Sequence, residues 1–140
     1  MSECLTFEYQ VPGDDFTRAG EASSSVKNKL KMMGVDSGAI RRVAIAMYEG
    51  EINMVIHAGG GAIKVMVTDD NIQIILADTG PGIPDVEKAM QLGYSTAPEE
   101  VRSLGFGAGM GLPNMKKYSD NMQIDTEVGV GTTVTMDIHL

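Results

Sequence analysis

The sequence predicts a single α+β domain, and three observations carry that prediction. Apolar residues recur at three-and-four spacing between Phe16 and His57, β-rich segments stand at the start, middle and end, and no repeat or linker divides the chain. With 140 residues, a chain of this size buries roughly 70% of the surface it exposes when unfolded, enough for one real core.

Leu5 to Val11 (LTFEYQV) alternates apolar and polar side chains and predicts a first strand. Pro12-Gly13-Asp14-Asp15 breaks it, and either aspartate can cap a helix. The stripe Ala19, Ala22, Val26, Leu30, Met33 predicts an amphipathic helix from Phe16 to about Met33, ended by Gly34, with Ser23-Ser24-Ser25 on its surface. Asp36 or Ser37 can cap a second helix from about Ala39 to His57, which Gly59-Gly60-Gly61 stops. Ala62–Thr68 and Ile72–Ala77, joined by Asp69-Asp70-Asn71, read as a β-hairpin. A short helix is expected from about Asp85 to Leu92, then a glycine-rich loop over 93–111, a length that points to function. A helix over Gly111–Tyr118 follows. Two strands, near Asn121–Thr126 and Thr132–Ile138, close the chain around a Gly129-Val130-Gly131 turn.

Composition narrows the function. The net charge of −8 repels a phosphate backbone, so no nucleic-acid partner is expected, although Mg²⁺ can bridge protein oxygens to a nucleotide's phosphates. No apolar run reaches the roughly 18–20 residues that span a bilayer, and the N-terminus lacks a signal-peptide pattern, so no membrane role is expected. Cys4 is the only cysteine, which excludes an internal disulfide and fits a cytoplasmic location. Glycine makes up 17 of the 140 residues, above the usual share of about 7%. His57 and His139 read as capping or surface residues, and the 11 methionines mostly as core filler.

Three constellations carry chemistry. Glu49 and Asn53 stand four apart on the second helix, so both project from one face. A carboxylate there can orient or deprotonate a hydroxyl, and an amide oxygen one turn on suits Mg²⁺. Glu51 points to the opposite side and is a poor substitute, while Gly50 either permits a close approach or is incidental. At the end of an apolar strand comes Asp78-Thr79-Gly80-Pro81-Gly82, where the aspartate can accept from an exocyclic amine such as that of adenine. Finally, Gly105, Gly107, Gly109 and Gly111 alternate with other residues. Backbone N–H groups of such a segment can wrap a polyphosphate, and the helix after it would aim its positive end there. Neither a P-loop nor a dinucleotide-fold spacing occurs. Taken singly, each constellation also has a plain explanation: a solvated helix face, a strand-ending turn, a glycine linker.

In their order and spacing, Glu49-x-x-x-Asn53, Asp78-x-Gly80-x-Gly82 and Gly105-x-Gly107-x-Gly109-x-Gly111 resemble the N, G1 and G2 boxes of the GHKL superfamily, which includes gyrase, histidine kinases and MutL. The resemblance covers about residues 5 to 140. It implies the Bergerat fold, a two-layer sandwich with a mixed sheet covered by helices on one face. Within the superfamily the chain looks like the stand-alone serine/threonine kinases, the anti-sigma factors and their switch-kinase cousins, since it leaves no room for a phosphoacceptor helix pair. Gly93-Tyr94-Ser95-Thr96 and Gly109-Met110-Gly111-Leu112-Pro113 look closer to the switch kinases.

That resemblance implies ATP and Mg²⁺ as ligands, with Glu49 as general base, Asn53 as the Mg²⁺ ligand and Asp78 as the adenine reader. Gly80 and Gly82 would shape the adenine pocket, Gly105, Gly107, Gly109 and Gly111 would cover the phosphates, and Arg102 would contact the γ-phosphate. Arg18, in Phe16-Thr17-Arg18, matches a segment where the family has an arginine for partner binding. The implied partner is a small antagonist protein or a sigma factor. The resemblance also allows a homodimer, for which the sequence holds no surface signal. Two other functions are compatible with these residues: a non-catalytic ATP/ADP-binding module that gates a partner by lid closure, and a subunit lending ATPase activity to a larger complex.

Overall fold

The computed structural model describes residues 4–13, 20–57, 60–80, 82 and 111–140. The expected helix over 85–92, most of the glycine-rich loop, Arg18, Arg102, Gly105, Gly107 and Gly109 lie outside the described residues. In chain order the elements are β1 (Leu5–Pro12), α1 (Glu21–Met32), α2 (Ser37–His57), β2 (Gly60–Val67), β3 (Asn71–Ala77), α3 (Gly111–Tyr118), β4 (Asn121–Glu127) and β5 (Gly131–His139).

The five strands form one sheet in the order β1-β2-β3-β5-β4. Every neighbouring pair is antiparallel, where the resemblance implied a mixed sheet. The reason is local: β4 and β5 form a hairpin whose second strand inserts beside β3. β3 and β4, which run the same way, are thereby kept apart. Alternation decides the faces. Ile63, Val65 and Val67 of β2, Ile72, Ile74 and Leu76 of β3, and Val134, Met136 and Ile138 of β5 are all buried. Their neighbours Lys64, Gln73, Thr135 and Asp137 take the other, more open face. Against the buried face pack Val26 and Leu30 of α1, Val43, Met47 and Val55 of α2, and Met115 of α3. Met47, Met54, Met115 and Met136 fill this core, as adaptable side chains do.

Helix ends show which sequence signals acted. Asp36 caps α2, its Oδ2 accepting from the N–H groups of Gly38 (3.0 Å) and Ala39 (3.2 Å). Gly34 ends α1 with φ +76°, and Val35 N–H donates to the Leu30 carbonyl across the turn, a Schellman closure. At its other end, α1 begins at Glu21 rather than near Phe16. Gly20, at φ +96°, cannot continue a helix, and no side chain of its own caps the first turn. Ser23, expected on the surface, is buried and bonded to Glu51, whereas Ser24 is exposed and Ser25 pairs with the Tyr9 hydroxyl.

Gly50 is there for close approach. A Cβ on it would stand 2.5 Å from Leu76 Cδ2 and 3.1 Å from Met115 Cε, so α2 lies tight on β3 and α3 at this point. A polar tie joins the start of α2 to the far edge of the sheet. Arg42 donates to Asp120 Oδ2 (3.1 Å) and to the His139 carbonyl (2.9 Å), and Asp120 also accepts the His139 N–H (2.7 Å).

Two predictions follow from this packing. The β4–β5 turn holds two glycines of different standing. At Gly131 (φ +150°) a Cβ would meet the Asp78 carbonyl oxygen at 2.2 Å, while at Gly129 (φ +82°) nothing lies within 4 Å. In urea unfolding, Gly131→Ala is expected to lose about 2–4 kcal/mol by backbone overpacking, and Gly129→Ala only about 1 kcal/mol of left-handed strain. Asp120 supplies the second test. The His139 N–H holds its carboxyl below the ordinary 3.8, burial opposes this, and Arg42 reinforces it. A lowered folded-state pKa stabilises above the unfolded value, and that gain is lost as pH falls through the folded value. The melting-temperature gap between wild type and Asp120→Asn should therefore be present near about pH 6 and close progressively below about pH 4.

Candidate nucleotide-binding site

Glu49 and Asn53 lie half-buried on α2, facing α3. Asn114 of α3 donates its Nδ2 to Glu49 Oε1 at 3.4 Å, a long bond that still aims the carboxylate. Asn53 turns its Nδ2 toward the Met115 sulfur (3.9 Å), which leaves its Oδ1 without a protein partner among the described residues. Met115, almost fully buried, is thus wedged against Gly50 and Asn53 together. Because α3 begins at Gly111, the last glycine of the alternating series is anchored beside the Glu49–Asn53 face.

Asp78 follows directly on β3, and the fold clamps it. Its N–H donates to the Thr132 carbonyl (2.9 Å), and its Oδ1 accepts from the N–H groups of Thr132 (3.1 Å) and Gly80 (3.0 Å). The Gly80 bond is an Asx turn, aspartate to the second residue on. With Oδ1 so occupied, Oδ2 is left without a protein partner among the described residues. Gly82 takes φ +81°, and a Cβ on it would fall 2.6 Å from the Glu127 carbonyl oxygen, so glycine lets this segment lie on the β4–β5 turn. Gly61 connects the two halves. A Cβ there would collide with the Ala77 carbonyl oxygen and with Met54 Cε and stand 3.1 Å from Asp78 Cα, so the side chain after Asn53 and the backbone of Asp78 both lie against Gly61.

The structure therefore brings Glu49, Asn53, Asp78, Gly80, Gly82 and Gly111 around one end of the sheet and α2. Two positioning residues escaped the sequence reading. Asn114 could have been noticed as a polar residue in the first turn of the helix after the glycine series. Thr132 stands within the Gly129-x-Gly131-Thr132-Thr133 string, but nothing in that string says that its backbone meets Asp78. The donor set suits a nucleotide with Mg²⁺. Two oxygens, one on the Asp78 carboxylate and one on the Asn53 amide, have no protein partner among the described residues. Among the described residues there is no cluster of three or more His, Cys, Asp or Glu that would cage a metal by itself. Mg²⁺ bound through one or two protein oxygens and phosphates needs no such cage.

Comparison with known proteins bears on this arrangement. The family described as histidine kinase-, DNA gyrase B- and HSP90-like ATPase matches residues 38–140. The serine/threonine-protein kinase RsbT of Bacillus subtilis (strain 168) is 32% identical over 112 residues, covering 77% of this chain and 78% of that one. An anti-sigma F factor of Thermoanaerobacter sp. (strain X514) is 35% identical over 142 residues, covering 97% and 92%. An anti-sigma F factor of Caldanaerobacter subterraneus subsp. tengcongensis is 37% identical over 106 residues, covering 72% and 71%. Among solved structures, the RsbU and RsbW domains of Rv1364c from Mycobacterium tuberculosis share the fold, with a TM-score of 0.61 at 16% identity. That match covers 97% of this chain and 32% of the other. No described helix is long and apolar enough to cross a membrane. The chain belongs to the histidine kinase-, gyrase B- and HSP90-like ATPases, in the branch that holds the anti-sigma F factors and RsbT.

Proposed function

We propose that this protein is an ATP-dependent serine/threonine protein kinase of the anti-sigma type, which transfers the γ-phosphate of ATP to a small antagonist protein. One observation carries the reading: Glu49, half-buried and aimed by Asn114, stands one turn from an Asn53 whose amide oxygen has no protein partner among the described residues. A hydroxyl-directed base and a neutral oxygen ligand for Mg²⁺ are the two protein groups such a transfer needs beyond nucleotide binding.

In the proposed reaction, the serine or threonine oxygen of the antagonist bonds to the γ-phosphorus. The bond from that phosphorus to the β–γ bridging oxygen breaks, and ADP leaves with the electron pair. Glu49 takes the hydroxyl proton. Mg²⁺ held through Asn53 Oδ1 and the phosphates would supply neutralisation of the developing charge. Asp78 holds the base: its Oδ2 accepts from the adenine exocyclic amine, while Gly80 and Gly82 keep side chains away from the ring. The alternating glycines ending at Gly111 would lie over the phosphates, with Arg102 on the γ-phosphate. The cytoplasm is the expected location.

Phosphotransfer is tested with [γ-³²P]ATP, Mg²⁺ and candidate antagonist proteins encoded beside the gene. Wild type should label a serine or threonine, and Glu49→Ala should lower the rate about 100-fold with little change in ATP affinity. If no Mg²⁺-dependent labelling occurs, or if Glu49→Ala labels at the wild-type rate, the kinase reading fails; nucleotide binding with intact partner control would then favour a gating module.

Asp78→Asn gives a separate test of base recognition. The two backbone N–H groups on Oδ1 would hold the asparagine oxygen in that place and turn its NH₂ toward the ligand. A donor would then face the adenine amine, so ATP affinity by calorimetry should fall about 10- to 100-fold. An unchanged affinity would remove Asp78 from the adenine site.

A further inference from the structure

Glu51 is buried, only 2% exposed, on the same helix as Glu49 and Asn53 but on the side that meets α1. Its Oε2 accepts from the N–H groups of Gly20 (2.9 Å) and Ala22 (3.2 Å). Its Oε1 accepts from the N–H (3.1 Å) and the hydroxyl (2.6 Å) of Ser23. All four donors are neutral, and three are first-turn amides that have no acceptor within their own helix. Since α1 carries no side-chain cap of its own, a carboxylate from α2 caps it across the helix pair, where the positive end of the helix dipole favours it.

That capping has a consequence for the site. A groove of about 990 Å³ runs between α1 and α2; Ser24, Lys27 and Asn28 stand on its α1 side, and Ala44, Tyr48 and Glu49 on its α2 side. Glu49 therefore opens in two directions: toward α3, where Asn114 holds it, and into this groove. The α1 wall is pinned at its first turn by Glu51, beside Gly20, whose missing Cβ lets Tyr48 Cε2 come within 3.0 Å of where it would stand.

We infer that Glu51 is a positioning residue for the protein substrate: by fixing the first turn of α1 on α2, it sets the width of the groove through which the substrate's hydroxyl-bearing segment reaches Glu49. The inference rests on the kinase reading for its substrate and on the structure alone for the clamp. Nucleotide contacts lie elsewhere, at Asn53 and Asp78, so the clamp acts on the protein substrate and not on ATP.

Glu51→Gln keeps the shape and tests the bonds. Glutamine offers one oxygen where two oxygens serve four donors, so its NH₂ must face backbone N–H groups. Ser23→Ala removes one donor of the four. Amide hydrogen exchange by NMR should show Ala22 and Ser23 losing protection about tenfold or more in Glu51→Gln, with Val55 and Ile74 unchanged. In the labelling assay, the KM for the antagonist protein should rise about tenfold in Glu51→Gln and about two- to threefold in Ser23→Ala, with kcat and the ATP Kd within about twofold. Unchanged exchange at Ala22 and Ser23 overturns the clamp. A fall in kcat with the protein KM unmoved, as a loss of folded enzyme would give, overturns the positioning role. Should Glu51→Gln fail to fold, Ser23→Ala decides by the same two readings. A wild type that labels no protein sinks the kinase reading and the substrate role together, while the exchange experiment still judges the clamp.

Discussion

Helix α2 has to satisfy three neighbours at once, and the rest of the molecule is arranged by how it does so. One face is apolar and lies on the sheet through Val43, Met47 and Val55. A second meets α1, where Glu51 is buried against first-turn amides. The third meets α3 and carries Glu49 and Asn53. The close approach at Gly50 makes this possible, because a Cβ there would collide with the Leu76 side chain and crowd that of Met115, forcing them to shift. Leu76 lies two residues before Asp78 and Met115 one after Asn114, so the spacing of the core sets the spacing of the site.

Fixed polar geometry appears at each point where a ligand group would be read. Among the described residues, Asp78 commits one oxygen to the backbone and leaves the other unbonded, and Asn53 commits its amide nitrogen to sulfur and leaves its oxygen unbonded. Such groups are oriented before a ligand arrives, so binding need not order them. Gly61, Gly82 and Gly131 serve the same end by backbone packing, each letting chain segments around Asp78 approach more closely than a Cβ would allow.

Much of this was legible in the sequence, for identifiable reasons. The described strand and helix positions follow from alternation, apolar stripes and the stop at Gly34, and α3 has the expected bounds, Gly111–Tyr118. The Glu49–Asn53 pair was readable because one helix holds both residues. What escaped is long-range. Nothing local says that Glu51 meets Ser23 across 28 residues, so Ser23 read as surface. The start of α1 is also invisible to a periodicity count, because it is set by Gly20, whose left-handed conformation leaves the helix to begin at Glu21. The wholly antiparallel sheet depends on where β5 inserts, a pairing choice that strand patterns leave open.

The central claim is that residues far apart in the chain form one nucleotide site at the end of α2 and β3. The most direct measurement is an NMR titration of the ¹⁵N-labelled protein with ATP and Mg²⁺, following backbone amide shifts. Saturable shifts should gather at Asn53, Asp78–Gly80 and Gly111–Asn114, with Glu8, Asp70 and Asp125 unmoved. Saturation with the shifts confined to only one of those three segments, or no saturable shift at all, would contradict the claim.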